Sequence, residues 1–440
     1  MSTADPTAVA RPVLALGFAR MADALANSFL VVVLPLFIAD LGPAGRLFGL
    51  SEAAATGVIL ATFGVANAFL QPLAGSLSDR LGRRKVFVLG GLLAISALNL
   101  LYLAADGTVD LLLIRAGQGL SVAFTVTASV ALVNELSGRG NRGGNMGSYN
   151  ALRLTGFGAG PLVAGFVVEG GPYTLAGLEL RGFDAAFLIA AAAALLSSLL
   201  VVLLVRDPEV IRERDRSLEV PLRAPPGSGR RIHPILALGI ATFVMATCIA
   251  LLAPIEPQVN RHLQQDARWF GIQFGVFIFS VAGAQPVVGK LSDRWGRKGF
   301  VLWGMLLLVP TTLAQGLAAT PWQMLFARVA QGLSGAMVFA PALALAGDHA
   351  RRGQSGFQLA VLTMAFGLGL SGGQLTAGFL IGFGYLVPFA FGAVLASLAA
   401  LMVRSEVVEA PAPPEPAEQR AWPGGPGWTP GWSLNPAVGR

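Results

Sequence analysis

Long apolar segments alternate with short polar segments along most of the chain. Twelve of the apolar segments hold roughly 20 residues or more, which lets a helix rising ~1.5 Å per residue cross a hydrocarbon core of ~30 Å. The alternation therefore predicts an all-α membrane protein with twelve transmembrane helices. The predicted helices 1 to 12 occupy residues 12–39, 53–76, 86–105, 109–134, 147–169, 185–205, 234–259, 269–290, 299–319, 321–346, 355–382 and 384–403.

The composition agrees with helices solvated by lipid. Hydrophobic residues make up 54% of the 440 positions and charged residues 12%, about half of the charged fraction of a soluble domain. The mean hydropathy is +0.65. A net charge of +7 could indicate a nucleic-acid partner, but the basic residues lie between the apolar segments. We therefore expect a lipid bilayer as the surroundings and no nucleic acid as a partner.

Lysine and arginine are distributed unequally between two sets of alternate loops. The loops after helices 2, 4, 6, 8 and 10 hold most of them, whereas the other six loops hold only Arg46, Arg181, Arg261 and Arg268. Because basic loops stay in the cytoplasm, both termini are predicted to be cytoplasmic, in a multi-pass protein of the cell inner (plasma) membrane. The first apolar segment is too long for a cleavable signal peptide, so helix 1 should remain in the mature protein.

The second half of the chain repeats the first. Such repeats predict two pseudo-symmetric six-helix bundles, at 1–205 and 234–403. Between them, 206–233 is rich in Arg, Glu and Pro and reads as a cytoplasmic linker. The tail 404–440 is dense in Pro and Gly and is predicted to be disordered in the cytoplasm. At one constant offset, Gln71, Pro72, Gly75, Asp79, Arg80, Gly82 and Arg83 reappear as Gln285, Pro286, Gly289, Asp293, Arg294, Gly296 and Arg297.

The repeated loop after helices 2 and 8 carries a glycine, an Asp-Arg pair, a second glycine and basic residues. A loop this short needs glycine where the backbone takes positive φ, and a carboxylate such as Asp79 can cap a helix N-terminus. The pattern resembles the loop motif of the major facilitator superfamily, and the resemblance covers residues 12–403. The resemblance implies a cytoplasmic gate. The alternative is that the basic residues have no gating function and only reflect the excess of Lys and Arg that cytoplasmic loops carry. The implied gate residues are Gly75, Asp79, Arg80, Gly82, Arg83, Gly289, Asp293, Arg294, Gly296 and Arg297.

Helix 5 carries Gly156, Gly160, Pro161 and Gly165, a pattern that resembles the motif of the antiporter branches of the same superfamily. Small residues four apart allow close helix contact, and proline bends a helix by removing a backbone hydrogen bond. The second half has Gln374 where Pro161 stands. Helix packing alone is the alternative explanation of the glycines.

Charged residues inside the predicted helices are few, and each is costly in lipid. Asp23 lies about ten residues into helix 1, roughly 15 Å deep and near the midplane, where transporter sites lie. Arg115 enters from the opposite side, and a long side chain could span the height gap of about 6 Å. Our hypothesis is that Asp23 carries protons opposite Arg115, an arrangement that the resemblance supports. A structural pair with Arg20, on the same helical face, is the alternative.

Further polar residues complete the predicted cavity. They are Asn27, Gln118, Arg328 and Gln331, although Arg328 could instead serve as a partner for backbone carbonyls. Glu256 falls near the outer end of helix 7 and is interpreted as part of the rim. The three histidines form no metal-ligand cluster and no Walker pattern is present, so we expect no metal, no cofactor, no ATP and no enzyme activity.

The resemblance implies a secondary active transporter, similar to the drug/proton antiporters of the superfamily, which exports small amphipathic molecules by alternating access. Its partners would be a small-molecule substrate and protons, and we expect a monomer. Two alternatives stay open. A facilitator or symporter for an organic anion or a sugar would suit the excess of arginines over acids inside the membrane. A non-transporting membrane receptor would bind a ligand without moving it.

The topology gives a direct prediction. A single cysteine placed within 206–233, with the native Cys248 replaced, should not react with an impermeant thiol reagent added to intact cells, because this linker should face the cytoplasm. Labelling after permeabilisation is the control. Reaction in intact cells would show that the orientation is reversed.

Overall fold

The computed structural model describes residues 6–45, 47–137, 142–175, 177–205, 231–348 and 355–409. In these ranges the chain is almost entirely helical. A short antiparallel hairpin of β1 (Tyr173–Leu175) and β2 (Leu178–Leu180) precedes the sixth helix. The helices are α1 (Pro6–Asp40), α2 (Glu52–Leu81), α3 (Arg84–Leu101), α4 (Thr108–Leu136), α5 (Arg142–Gly170), α6 (Gly182–Leu204), α7 (Pro234–Ala250), α8 (Glu256–Leu263), α9 (Ala267–Trp295), α10 (Arg297–Leu317), α11 (Pro321–Asp348), α12 (Ser355–Leu380) and α13 (Val387–Glu406).

Twelve helical segments in the described ranges are long and apolar enough to cross a membrane, which confirms the predicted number. The seventh segment combines α7, a 3-10 turn at Ala253–Ile255 and α8. Many ends differ from the prediction by a few residues; among them, the seventh segment continues to Leu263, the eighth to Trp295 and α13 to Glu406. Apolar periodicity stops where side chains become polar, whereas backbone hydrogen bonds can continue a helix for another turn.

Glycines end the helices that precede the two repeated loops. Gly82 takes φ 65° at the end of α2, and its N–H donates to the Ser78 carbonyl at 3.1 Å. Gly296 takes φ 96° at the end of α9 and donates to the Ser292 carbonyl at 3.0 Å. Because side chains rarely tolerate this backbone region, both positions require glycine, as predicted for these loops.

Within each half, one glycine-bearing helix packs backbone to backbone on the first helix. A Cβ on Gly156 of α5 would lie 2.0 Å from the Met21 carbonyl oxygen of α1. A Cβ on Gly369 of α12 would lie 2.3 Å from the Phe243 carbonyl oxygen of α7. The same contact in both halves makes Met21 and Phe243 equivalent positions. It also shows that packing is one function of the helix 5 glycines.

The two halves meet through α5 with α9 and through α2 with α12. We call the side of the bundle that carries the loops 82–83 and 296 the motif side, and the side that carries the loops 105–107 and 318–320 the hairpin side. Four glycines between the middle of the bundle and the hairpin side contact the backbone of the other half. A Cβ added to any of them would lie 2.3 to 2.6 Å from a carbonyl oxygen of that half. These contacts join Gly165 with Ala267, Gly271 with Pro161, Gly57 with Gln374, and Gly378 with Ala53.

On the motif side the corresponding glycines have no such contacts. Gly75 and Gly289 both belong to the repeated motif. A Cβ added to either glycine would meet no atom within 4 Å. Gly147 of α5 and Gly347 of α11 are equally open. The cross-half glycine contacts of the described residues therefore lie between the middle and the hairpin side.

A matched pair of alanine substitutions in α5 tests this packing. Gly156→Ala should lower the free energy of unfolding by about 1–3 kcal/mol, because the added methyl meets a backbone carbonyl that cannot move aside. Gly147→Ala, in open space on the same helix, should leave stability unchanged or slightly raised. Equilibrium unfolding in mixed micelles measures both. Equal effects of the two substitutions would contradict the close contact.

Candidate functional site

A buried polar cluster occupies one face of α1. Asp23 is 0% exposed, and Arg20, one turn earlier, donates to its Oδ2. Asn27, one turn later, donates from Nδ2 to Oδ1 at 3.0 Å and to the Asp23 carbonyl at 3.1 Å. Spacings of three and four residues place all three side chains on the same face. Both carboxylate oxygens of Asp23 are thus satisfied within a single helix.

Helices α4 and α5 add polar groups beside this cluster. The hydroxyls of Ser129 and Tyr149, both buried, lie 2.7 Å apart. Arg153 of α5 donates from Nε to Asn150 Oδ1 at 3.0 Å and lies close enough to Arg20 for electrostatic repulsion. A small cavity next to the cluster is lined by Leu16, Arg20 and Asp23 of α1, Val88 and Leu92 of α3, and Thr125 and Ser129 of α4.

Arg115 of α4 lies elsewhere in the first half, against an amide and an aromatic ring. Its Nη1 donates to Gln118 Oε1 at 3.1 Å, and its guanidinium lies 4.8 Å from the centre of the Phe63 ring. Gln118 also accepts from the Tyr102 hydroxyl at 3.1 Å and donates to Asn99 Oδ1 at 2.9 Å. Arg115 Nε has no hydrogen-bond partner among the residues that the structure describes.

Arg328 of α11 repeats this arrangement in the second half. It is 0% exposed, its Nη1 donates to Gln331 Oε1 at 2.6 Å, and its guanidinium lies 4.1 Å from the centre of the Phe277 ring. Gln331 donates in turn to the Cys248 carbonyl at 3.2 Å. Arg328 Nε and Nη2 have no hydrogen-bond partners in the described structure. Arg328 also donates to the Ile249 carbonyl at 3.4 Å, so a backbone carbonyl is one of its partners, as the alternative interpretation required.

The hypothesis that Asp23 and Arg115 form a pair is not met in this conformation. Asp23 binds Arg20 and Asn27, while Arg115 binds Gln118 and stacks on Phe63. The physical reason is that Arg20 reaches Asp23 along the same helix without bridging between two helices at different heights. Phe63 and Phe277 were not predicted as part of the site, although these two stand at the same offset as Gln71 and Gln285.

The second repeated loop is held by charged groups. Arg297 donates from Nη2 to Asp293 Oδ1 at 2.7 Å and also pairs with Asp348 of α11. Glu409 caps the start of α10, accepting from the Arg297 and Lys298 N–H groups at 2.8 Å each, and this cap was not predicted. The side chain of Asp79, the expected cap of the first loop, lies outside the described residues. Arg80, Arg83 and Arg294 expose their side chains.

The sequence matches the profile of the Major Facilitator Superfamily over residues 16–235 and 238–435. The chain belongs to this superfamily. It is therefore a multi-pass membrane transporter of the major facilitator fold and not an enzyme, which confirms the fold class and the absence of enzyme activity expected from the sequence. The antiporter branch is supported by sequence relatives of low identity.

Two of these superfamily relatives are bacterial proteins. Multidrug resistance protein MdtG of Salmonella typhimurium is 24% identical over 312 residues, which cover 70% of this chain and 73% of that protein. Multidrug resistance protein 2 of Bacillus subtilis is 26% identical over 159 residues, which cover 36% of this chain and only 40% of that protein.

Solved structures of the superfamily share the fold. A bacterial homologue of the human lysosomal transporter Spinster, in an inward-facing and occupied conformation, superposes with a TM-score of 0.71 at 15% identity, covering 89% of this chain and 95% of that chain. The human organic anion transporter MFSD10 superposes with a TM-score of 0.66 at 20% identity, covering 91% of this chain and all of that chain.

A double-mutant cycle tests the pair in α1. Asp23→Asn and Arg20→Gln should each destabilise the protein, by up to about 3–5 kcal/mol, because each leaves one buried charge without its partner. The double variant should cost clearly less than the sum of the two, since no lone charge remains. Unfolding free energies measure all three. Strict additivity would contradict a direct interaction.

Proposed function

We propose that this transporter uses the inward flow of protons to export small amphipathic molecules by alternating access across the inner membrane. Asp23, with Arg20 and Asn27, is the proposed proton-coupling group. The motif side is the cytoplasmic side, as the distribution of basic residues predicts, and 206–233 is the cytoplasmic linker between the halves. The hairpin side then faces outward.

The arrangement of the halves supports alternating access. Glycine contacts close the halves together from the middle to the hairpin side, while Gly75 and Gly289 of the motif side stand in open space. We infer from this a conformation that is closed to the outside and open towards the cytoplasm. The reverse state would need the α5 contact with α9 and the α2 contact with α12 to part. One hydrogen bond, from the Ala267 N–H to Glu169 Oε1 at 3.0 Å, crosses the α5 contact with α9, and water would have to replace it when the halves part.

The residues of the second half that correspond to Arg20 and Asp23 support Asp23 as the proton-coupling group. Because Met21 and Phe243 are equivalent, the same offset places Thr242 and Met245 of α7 where α1 has Arg20 and Asp23. Thr242 and Met245 are buried and uncharged. The fold can therefore be built at this position without an ion pair. A charged pair that lipid penalises and packing does not require is a candidate for function.

The energetics suit export. One proton that moves one net charge inward releases ~2.3 kcal/mol per 100 mV, which can sustain about a fifty-fold substrate gradient. Two relatives are named multidrug resistance proteins, which supports a substrate of this kind.

A second candidate function is transport of an organic anion. Within the described part of the chain, Arg115 and Arg328 are buried without a carboxylate partner, and three of their nitrogens lack hydrogen bonds. An anionic substrate would neutralise such a charge. The recurrence of the arrangement in both halves argues for a structural contribution as well, so we rank this candidate second.

We further propose that the two repeated loops form a gate on the cytoplasmic side. Arg297 joins α9, α10 and α11 through Asp293 and Asp348, so the second loop moves as a unit with its half. We assign the equivalent residues of the first loop, Asp79 and Arg83, to the same function.

Flux into proteoliposomes under an imposed pH gradient tests the proposal. Accumulation of a cationic or neutral drug, up to about tenfold per pH unit of the imposed gradient for one proton per substrate, should fall to near equilibrium in Asp23→Asn, because the proton carrier is lost. Asp40→Asn, at the exposed end of the same helix, is the matched control and should transport normally.

Other outcomes decide between the candidates. Full pH-driven accumulation in Asp23→Asn would contradict the assignment of Asp23. Flux of an anionic substrate alone, lost in Arg328→Gln, would favour the second candidate. Saturable binding with no flux of any substrate would favour a receptor.

A further inference from the structure

Glu256 begins α8, after the 3-10 turn at Ala253–Ile255, near the hairpin side. Its side chain is 0% exposed, and neither carboxylate oxygen accepts a hydrogen bond from any of the described residues. The amide of Asn260, four residues on, approaches the carboxyl group without forming a hydrogen bond of regular geometry. Glu256 is therefore a fully buried acid without a donor, unlike Asp23, which has two.

The surroundings of Glu256 place it at the contact between the halves. The 3-10 turn and α8 pack against α1, and the turn also packs against α2, both of the first half. Glu169, at the end of α5 in the first half, lies close enough to Glu256 for electrostatic repulsion, although its own side chain is exposed. Glu169 is held there because its Oε1 accepts the Ala267 N–H of α9 at 3.0 Å. The buried carboxyl group of Glu256 and the exposed one of Glu169, one from each half, thus lie near the contact between the halves.

The fold does not require an acid at this position. The offset that relates Met21 to Phe243 relates Leu34 and Pro35 of α1 to Glu256 and Pro257. Leu34 is 0% exposed, so an apolar side chain fills the equivalent place in the first half. Because a buried carboxylate is costly and a leucine is not, the acid at 256 calls for a functional explanation.

Burial determines which form of Glu256 fits this conformation. An ionised carboxylate with no donor and a second carboxylate nearby would carry both a desolvation cost and a repulsion. For the neutral acid, both the desolvation cost and the repulsion are smaller. If the halves part at the hairpin side, water enters and both costs fall, so the ionised form becomes accessible.

We propose that Glu256 is a proton-binding site coupled to the closure of the hairpin side. The carboxyl group holds its proton while the halves are in contact there. When they separate, its O–H bond breaks and the proton passes to water on that side. This inference rests on the alternating access proposed above but assigns a second site, distinct from Asp23 in the other half. Acid on the hairpin side then favours the closed conformation, by up to about tenfold per pH unit for one proton.

Spin-label distances across the hairpin side test the proposal without any substrate. Asp106 and Ala319 are exposed and belong to equivalent loops of the two halves, so labels there report their separation. The protein would carry Cys248→Ala and be held in nanodiscs, so that both sides have the same pH. The closed fraction of the wild type should fall as the pH rises, with a slope of up to about tenfold per pH unit.

Variants identify the responsible group. Glu256→Gln, a neutral mimic of the protonated acid, should keep the closed fraction of the acidic wild type at every pH. Glu256→Asp should retain the pH dependence with a shifted midpoint. Glu179→Gln, an exposed acid on the same side, should keep the wild-type pH response. Infrared difference spectra should show the carbonyl band of a protonated acid in the closed wild type and not in Glu256→Gln.

Several outcomes would overturn the proposal. One is an unchanged pH response in Glu256→Gln, or, if that variant does not fold, an unchanged midpoint in Glu256→Asp. Another is the persistence of the protonated-acid band in Glu256→Gln. If distances change with substrate but not with pH, alternating access stands and the Glu256 site fails. If the distance never changes and flux is absent, the proposed function fails with it.

Discussion

Lipid offers no hydrogen bonds, and every other feature of this protein depends on that constraint. Each polar group inside the membrane must find a partner within the protein or remain uncharged. The backbone meets the demand by forming helices. Close packing between helices then needs glycines, because without a hydrophobic driving force the helices associate through tight van der Waals contact. Gly156 against Met21 and Gly369 against Phe243 are that solution, made once in each half.

The ionisable side chains meet the same constraint in three different ways. Asp23 takes a cation and an amide from its own helix. Arg115 and Arg328 use an amide oxygen and the face of a phenylalanine, a ring that attracts a guanidinium electrostatically. Glu256 has no donor, so the neutral form is the one that fits. These three arrangements differ in how readily the side chain gains or loses a proton. A transporter driven by protons needs a group that does so readily.

A comparison of equivalent positions in the two halves distinguishes residues that support the fold from residues that are candidates for function. The arginine, glutamine and phenylalanine unit occurs in both halves, as expected of a feature that supports the shared fold. Arg20, Asp23 and Glu256 have buried uncharged counterparts in the other half, Thr242, Met245 and Leu34. A fold that accepts an uncharged residue at the equivalent position gains no packing advantage from the charge. The asymmetry therefore directs attention to Asp23 in one half and Glu256 in the other.

The sequence by itself determined the helices, their number, the repeat and the superfamily, because lipid thickness and backbone hydrogen bonding leave a readable period in the chain. It also identified Gly82 and Gly296, whose positive φ is a local property of a helix end. The tertiary structure alone decided which partner each buried charge takes. Helix rotation and relative height place Arg115 on Phe63 and leave Asp23 with Arg20, and they turn Glu256 from a predicted rim residue into a buried acid between the halves. Such contacts depend on packing between segments far apart in the chain, and no local pattern records them.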